Sequence, residues 1–176
     1  AKGYDTEVGA MAREIESYAV GRAGGKAWEY QFVFGGGRPP WVSGLAQGTA
    51  IQAFSRAAVR LKDPHWFDVA RSALGIFRTP PPSGVRIKAK EGAHYLAYSY
   101  APGQRIYNAF LQSVIGLHDF AVFANDPLGR RLYLDGERRA RVEIRSADTG
   151  SWSLYQPGVA SDMGYHKVLR DFTRGL

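Results

Sequence analysis

Residues 104–123 read QRIYNAFLQSVIGLHDFAVF, and this stretch decides the fold class. Its apolar residues recur at spacings of three and four, the periodicity of a helix with one buried face. That face is predicted to carry Tyr107, Phe110, Leu111, Val114, Leu117 and Phe120. The stretch therefore predicts a long helix that packs against the rest of the protein.

Helical signals recur on both sides of this stretch. The first helix is predicted to bury Val8, Met11, Ala12, Ile15 and Ala19 and to end at the glycines of 21–25. The predicted helices, besides 104–123, are 5–20, 45–61, 66–77, 127–144 and 165–173. Helices 45–61 and 66–77 are expected to pair as a helical hairpin.

Strand signals are few and short. Residues 28–34 alternate large apolar with polar side chains and predict a strand, and 85–89 predict another. Residues 93–100 fit either a loop or a strand rich in tyrosine. The pattern predicts a mainly α protein of paired helices with a few short strands. No repeat or linker divides the chain, so 1–176 is expected to form one domain.

The chain of 176 residues has a net charge of +7, which favours an anionic partner: nucleic acid, an acidic glycan or a membrane surface. The arginines within 138–145 could bind the phosphates of a nucleic acid, but the acidic residues among them favour a solvated helix face. The chain has no cysteine, which excludes disulfides and thiolate catalysis. We expect no membrane span, because no apolar run reaches about 18 residues.

Metal and serine chemistry find no support in the sequence. The spacing of the four histidines, His65, His94, His118 and His166, does not fit a zinc site. The segment Gly150-Ser151-Trp152 lacks the glycine that follows the serine in a nucleophile elbow. We therefore expect neither a metal nor a serine nucleophile.

Tyrosines concentrate in polar loop contexts. They are Tyr95, Tyr98, Tyr100, Tyr155 and Tyr165. Loop tyrosines can line a cleft where the ring stacks on a sugar and the hydroxyl forms hydrogen bonds. They can equally form the amphipathic edge of a core, and the sequence leaves both alternatives open for any one of them.

Four segments in order resemble a known family. They are WVSGLAQG (41–48), YNAF (107–110) followed by IGLHDF (115–120), DTGSWSLY (148–155) and YH (165–166). They resemble the C-terminal domain of the D-glucuronyl C5-epimerase family, from about Trp41 to the end. The resemblance implies an incomplete α/α toroid, and an isomerase that inverts C5 of glucuronate units in an anionic polysaccharide without an organic cofactor.

The resemblance also implies site residues. Tyr98, Tyr155 and Tyr165 are expected to be catalytic, since C5 inversion needs one group to remove a proton and another to return it from the opposite face. The expected substrate-binding residues are Gln47, Tyr100, Arg105, Asn108 and His166. Cations are expected to lower a tyrosine pKa, and Arg105, Arg86 or His94 could neutralise the substrate carboxylate.

Two positions depart from the family pattern. Ala97 stands where a glutamate precedes the loop tyrosine, and Gln156 replaces an arginine after the Asp-Thr-Gly tyrosine. A polysaccharide lyase and a glycan-binding pseudoenzyme therefore remain alternatives to an epimerase, while nucleic-acid binding rests on charge alone.

We expect a domain cut close behind its last catalytic tyrosine and a secreted or cell-envelope rather than cytoplasmic location. A homodimer remains open.

Overall fold

The computed structural model describes residues 2–174 and is mainly helical. After a 3₁₀ turn at Lys2–Tyr4, the helices are α1 Asp5–Ser17, α2 Gly44–Leu61, α3 His65–Ser72, α4 Gly75–Arg78, α5 Tyr107–Phe123, α6 Pro127–Ala147 and α7 Met163–Arg174. Three two-stranded antiparallel hairpins are formed by β1 Val20–Arg22 with β2 Gly25–Ala27, β3 Arg86–Ala89 with β4 Gly92–Tyr95, and β5 Leu154–Gln156 with β6 Val159–Ala160. The predicted mainly α class with a few short strands is confirmed.

Helices α2 and α5 form the centre of the fold. The six residues predicted for the buried face of α5 are all buried. The two helices are in close contact at Gly48 and Gly116, where a Cβ added to Gly116 would lie 2.1 Å from the Gly48 carbonyl oxygen. Glycine is needed here because any side chain would push the two backbones apart.

A row of polar side chains also joins α2 to α5. Gln112 donates to Gln52 at 3.1 Å, and Gln52 donates to the Asp119 carboxylate at 2.8 Å. Arg56 donates to the same carboxylate oxygen at 2.8 Å. Burial opposes ionisation of Asp119, but hydrogen bonds from Gln52, Arg56 and His118 outweigh it and lower the pKa of the carboxyl.

The hairpin β3–β4 packs against α6. The Tyr95 hydroxyl donates to the carbonyl of Leu132 at 2.6 Å, and the buried His94 lies 2.7 Å from the Glu143 carboxylate. Three arginines of α6 within 138–145 form ion pairs with acidic side chains of the same helix: Arg138 with Asp135, Arg139 with Glu143, and Arg141 with Glu137.

Helix α1 packs against Trp28, the first residue of the loop 28–41. Trp28 donates its indole N–H to the Ile15 carbonyl at 2.7 Å and stacks on Phe54 of α2. The predicted apolar face is only partly right, since Ala12 is buried but Met11 is 61% exposed. α1 ends at Ser17 rather than near Val20, because the chain turns at Ala23 and Gly24, both at positive φ, to form β1–β2.

Two further predictions are wrong. Residues 28–34 form no strand but a loop with isolated bridges, because the aromatic residues gather around Trp41 and the segment 35–40 supplies only glycines, an arginine and two prolines. The helix predicted at 66–77 is two helices, since the chain turns at Ala73 and Leu74 before Gly75 packs against the carbonyl of Ala23.

Within 2–174 no helix has the length and apolar content to cross a membrane.

Candidate functional site

A cleft of about 240 Å³ lies where the first turns of α2 and α5 meet the loops around them. Its walls come from the segment 30–45, from Ala97 and Tyr98, from 106–109, and from Tyr155 and Tyr165. β5 carries Tyr155 and α7 carries Tyr165, while Tyr98 follows β4. Four separate parts of the chain therefore build this cleft.

The three tyrosines expected to be catalytic meet in the cleft. The rings of Tyr155 and Tyr165 lie 4.7 Å apart between centroids, and the phenols of Tyr98 and Tyr165 are close enough to Tyr155 to affect its pKa. Burial, and then the neighbouring phenols, raise the pKa of Tyr155. Tyr155 is therefore a neutral phenol placed between two others.

Tyr98 is held in place by an aromatic cluster. Its ring stacks on Tyr100 at 5.6 Å and contacts the edge of Trp41 at 5.8 Å. Tyr100 in turn covers Gly37, where an added Cβ would lie 2.3 Å from the ring. Tyr100 does not line the cleft, and its contacts instead support Tyr98.

Aromatic residues of the loop 28–41 form one wall of the cleft. Tyr30, Phe32 and Phe34 surround Trp41, with ring centroids 4.3, 5.5 and 6.4 Å away. Burial, with a smaller effect of Tyr98, raises the pKa of Tyr30. Sequence reasoning missed this wall because it took the alternating aromatics for a strand.

Two polar groups of the cleft, one in each of two side chains, form no hydrogen bond with the described residues. The Asn108 Oδ1 atom is buried and accepts no hydrogen bond from the described residues. Ser43 is only 4% exposed, and its hydroxyl does not cap α2. Asn108 was expected at the site from the sequence, whereas Ser43 was not, although it lies within the quoted segment 41–48.

The described residues that line the cleft include no charged side chain. Ala97, where the family pattern has a glutamate, is buried in the wall. The expectation that cations lower a tyrosine pKa is not met at Tyr155, whose pKa is raised. With its pKa raised, Tyr155 keeps its proton and is therefore not available as a base in its neutral form.

The three cations considered for the substrate carboxylate have other partners. Arg86 donates to Asp135 at 2.6 Å, and Arg105 donates to the carbonyl of Pro102. His94 is buried beside Glu143, and desolvation lowers its pKa despite that carboxylate. None of these residues lines the cleft.

Gln47 is fully buried and outside the cleft lining. Its side-chain N–H donates to the Trp28 carbonyl at 2.7 Å, and its oxygen accepts from the Trp28 N–H at 3.2 Å. Both ends of the amide are used, so Gln47 supports the aromatic loop instead of presenting a free group to a sugar.

His166 lines a different pocket, of about 350 Å³, whose described lining includes neither Tyr155 nor Tyr165. Its ring stacks on Trp152 at 4.2 Å, and its Nδ1 lies 2.9 Å from the Ser153 hydroxyl. Adjacent residues of α7 thus face different pockets. No group of three histidine, aspartate or glutamate side chains that could hold a metal occurs within 2–174.

Comparisons with known proteins match most of the chain. The family model described as D-glucuronyl C5-epimerase C-terminus matches residues 24–173. A D-glucuronyl C5-epimerase of Caenorhabditis elegans is 32% identical over 130 residues, which cover 66% of this chain and 21% of that protein. The chain thus spans about a fifth of the relative's length. The family match includes every residue that lines the cleft.

Proposed function

Because the chain belongs to the family of the D-glucuronyl C5-epimerase C-terminus, we propose that it inverts C5 of D-glucuronate residues in an anionic polysaccharide. The observation that carries this proposal is the meeting of Tyr98, Tyr155 and Tyr165 in one cleft. Tyr98 is distant in the sequence from Tyr155 and Tyr165, and core packing alone does not require three phenols at one opening.

In the proposed reaction one tyrosine, as its phenolate, removes the C5 proton, and the electron pair of the C–H bond moves into the adjacent carboxylate as an enolate. A second tyrosine then gives its proton to C5 from the opposite face. The two tyrosines have exchanged protonation states at the end of the turnover, and a proton must pass between them before the next.

Tyr98 and Tyr165 are the proposed pair, with Tyr155 between them. Burial keeps Tyr155 a neutral phenol, because its pKa is raised. A neutral phenol in contact with both neighbours can donate to one and accept from the other. Tyr155 is therefore the proposed route by which the pair recovers its starting state.

The cleft also suits a sugar by its shape and chemistry. Aromatic faces at Tyr30, Phe32 and Phe34 can stack on the apolar faces of sugar rings, and Asn108 Oδ1 can accept a bond from a hydroxyl. The net charge of +7 favours association with a polyanion.

The proposed architecture is an incomplete α/α toroid in which residues 1–176 form one domain. Its support is the packing of α5 against α2, α6 and α7, and of α2 against α3. Such paired helices around a shared core are the units from which helical barrels are built.

Incubation of the protein with a glucuronate polymer in deuterated water tests the function. We expect deuterium at C5, products of both C5 configurations and no change in chain length. Chain cleavage with an unsaturated, ultraviolet-absorbing product would identify a lyase instead. Saturable binding without deuterium at C5 would identify a glycan-binding pseudoenzyme, the alternative that Ala97 favours.

A further inference from the structure

The substrate of the proposed reaction brings a carboxylate into a cleft that has no cationic side chain among its described lining residues. Negative charge grows on this carboxylate as C5 loses its proton, so the site needs donors aimed at it. Arg86 and His94 are paired with acidic side chains elsewhere. The donors must therefore be of another kind.

Two helices begin at the cleft. The N-cap residues are Ser43 for the 18-residue α2 and Ile106 for the 17-residue α5, and neither side chain caps its helix. Both N-cap residues line the cleft, together with Leu45 of α2 and with Asn108 and Ala109 of α5. The partial positive charges of two helix N-termini therefore converge on one space.

The main-chain N–H groups of these first turns are available as donors. Gly44 donates to the carbonyl of Leu96 at 2.8 Å, but Leu45 and Ala46 have no backbone acceptor within residues 2–174. The same holds for the N–H groups of Tyr107, Asn108 and Ala109. Unpaired N–H groups at a helix N-terminus are a common means of binding anions.

Ser43 points independently to a ligand. A serine at an N-cap ordinarily accepts a bond from the first turn, yet this hydroxyl makes no such bond. Its side chain is more than nine-tenths buried and lies in the cleft wall, without a hydrogen-bond partner among the described residues. The Ser43 hydroxyl is thus a donor without a described partner at the point where the two helices begin.

We propose that the carboxylate of the uronate substrate binds between the N-termini of α2 and α5, held by their free N–H groups and by the Ser43 hydroxyl. The inference rests on the proposed function and names the binding site of its reacting group. Main-chain donors then stabilise the enolate without placing a cation beside Tyr155.

Amide resonances of the ¹⁵N-labelled full chain give the first test. The probe is an oligosaccharide of glucuronate units, and the control is the same oligosaccharide with its carboxylates reduced to alcohols. We expect the acidic probe alone to shift the amides of Leu45, Ala46, Asn108 and Ala109 downfield. Equal shifts with both probes, or no shift at these amides, would overturn the site.

Ser43→Asp and Ser43→Asn provide a matched pair, because the two side chains have nearly the same shape and differ in charge. We expect Ser43→Asp to bind the acidic oligosaccharide at least about tenfold more weakly than Ser43→Asn, and the two to bind the reduced one equally. Equal affinity for the acidic probe would contradict the proposal. If either variant fails to fold, the amide shifts of the native chain decide.

These results are separate from the test of the function. Carboxylate-dependent shifts without deuterium at C5 would uphold the anion site and overturn the epimerase. Deuterium at C5 without these shifts would uphold the epimerase and place the carboxylate elsewhere.

Discussion

At the scale of single residues, Gln47 holds the wall of the cleft through the backbone of Trp28. Gln47→Leu would leave both the N–H and the carbonyl of Trp28 without their side-chain partner. We expect a loss of about 2–4 kcal/mol in the free energy of unfolding, since each buried polar group left unpaired costs about 1–3 kcal/mol. Urea titration followed by tryptophan fluorescence measures this loss.

Gln31→Leu in the same loop is the control, because Gln31 is exposed and only a 3.4 Å contact links its side chain to Glu29. Its expected effect is within about 0.5 kcal/mol. If Gln47→Leu kept full stability and weakened only sugar binding, Gln47 would be a contact residue after all.

Sequence reasoning at this scale finds residues that a motif marks but misses interactions that depend on a distant partner, and the catalytic role of the marked tyrosines stays a prediction. The family motifs identified Tyr98, Tyr155 and Tyr165, which the fold brings together. They did not reveal that Gln47 is occupied by Trp28, because that pairing depends on the path of an irregular loop. The burial of His94 beside Glu143 likewise depends on packing between residues 49 positions apart.

At the scale of elements, the contact between α2 and α5 depends on Gly116. A Cβ at this position would meet the carbonyl oxygen, carbonyl carbon and Cα of Gly48, all within 2.9 Å. Gly116→Ala must therefore move the helices apart, and we expect it to cost about 2–3 kcal/mol despite the better helix propensity of alanine. Thermal unfolding followed by circular dichroism tests this.

Gly103→Ala is the matched control, because nothing lies within 4 Å of the added Cβ. It should change the stability by less than about 0.5 kcal/mol. Equal melting temperatures for the two variants would show that α2 and α5 do not pack through these glycines.

The Asp119 carboxylate of α5 accepts hydrogen bonds from Gln52 and Arg56 of α2. The stability that these bonds provide depends on pH. Because the folded pKa lies below the ordinary value of 3.8, the ionised carboxylate favours the folded state. This contribution is complete above the unfolded pKa and is lost as the pH falls through the folded pKa. Asp119→Asn should cost about 1–3 kcal/mol near pH 7, and the difference from the native chain should shrink below about pH 4.

The comparison needs urea unfolding at several pH values, with Asp68→Asn as the control. The Asp68 side chain is 74% exposed in its ion pair with Arg71, so its loss should change the stability by less than about 0.5 kcal/mol. A difference for Asp119→Asn that stays constant down to about pH 2 would contradict the assigned role of the carboxylate.

The elements themselves were predictable to different degrees. Long helices with a strong apolar period, at Gly44–Leu61, Tyr107–Phe123 and Pro127–Ala147, agree with the sequence prediction to within a few residues. The strand predicted at 28–34 was wrong, because aromatic residues also alternate in a loop whose rings pack around one tryptophan. Local periodicity cannot distinguish the two, since the position of Trp41 depends on the fold.

At the scale of the whole molecule, the proposed single domain predicts cooperative unfolding. The tryptophans report on different regions: Trp28 lies beside α1, Trp66 in α3 and Trp152 beside α7. We expect fluorescence and far-ultraviolet circular dichroism to give coincident denaturation curves. Two separate transitions would show that 1–176 is not one cooperative unit.

Transfer of the C5 proton by the cleft tyrosines is measured by the rate of deuterium incorporation at C5 of a glucuronate polymer. Tyr98→Phe and Tyr165→Phe should each lower this rate by about 10²–10⁴-fold, while Tyr133→Phe on α6, outside the cleft lining, should leave it unchanged. Rates in Tyr98→Phe and Tyr165→Phe equal to that of the native chain would contradict the account.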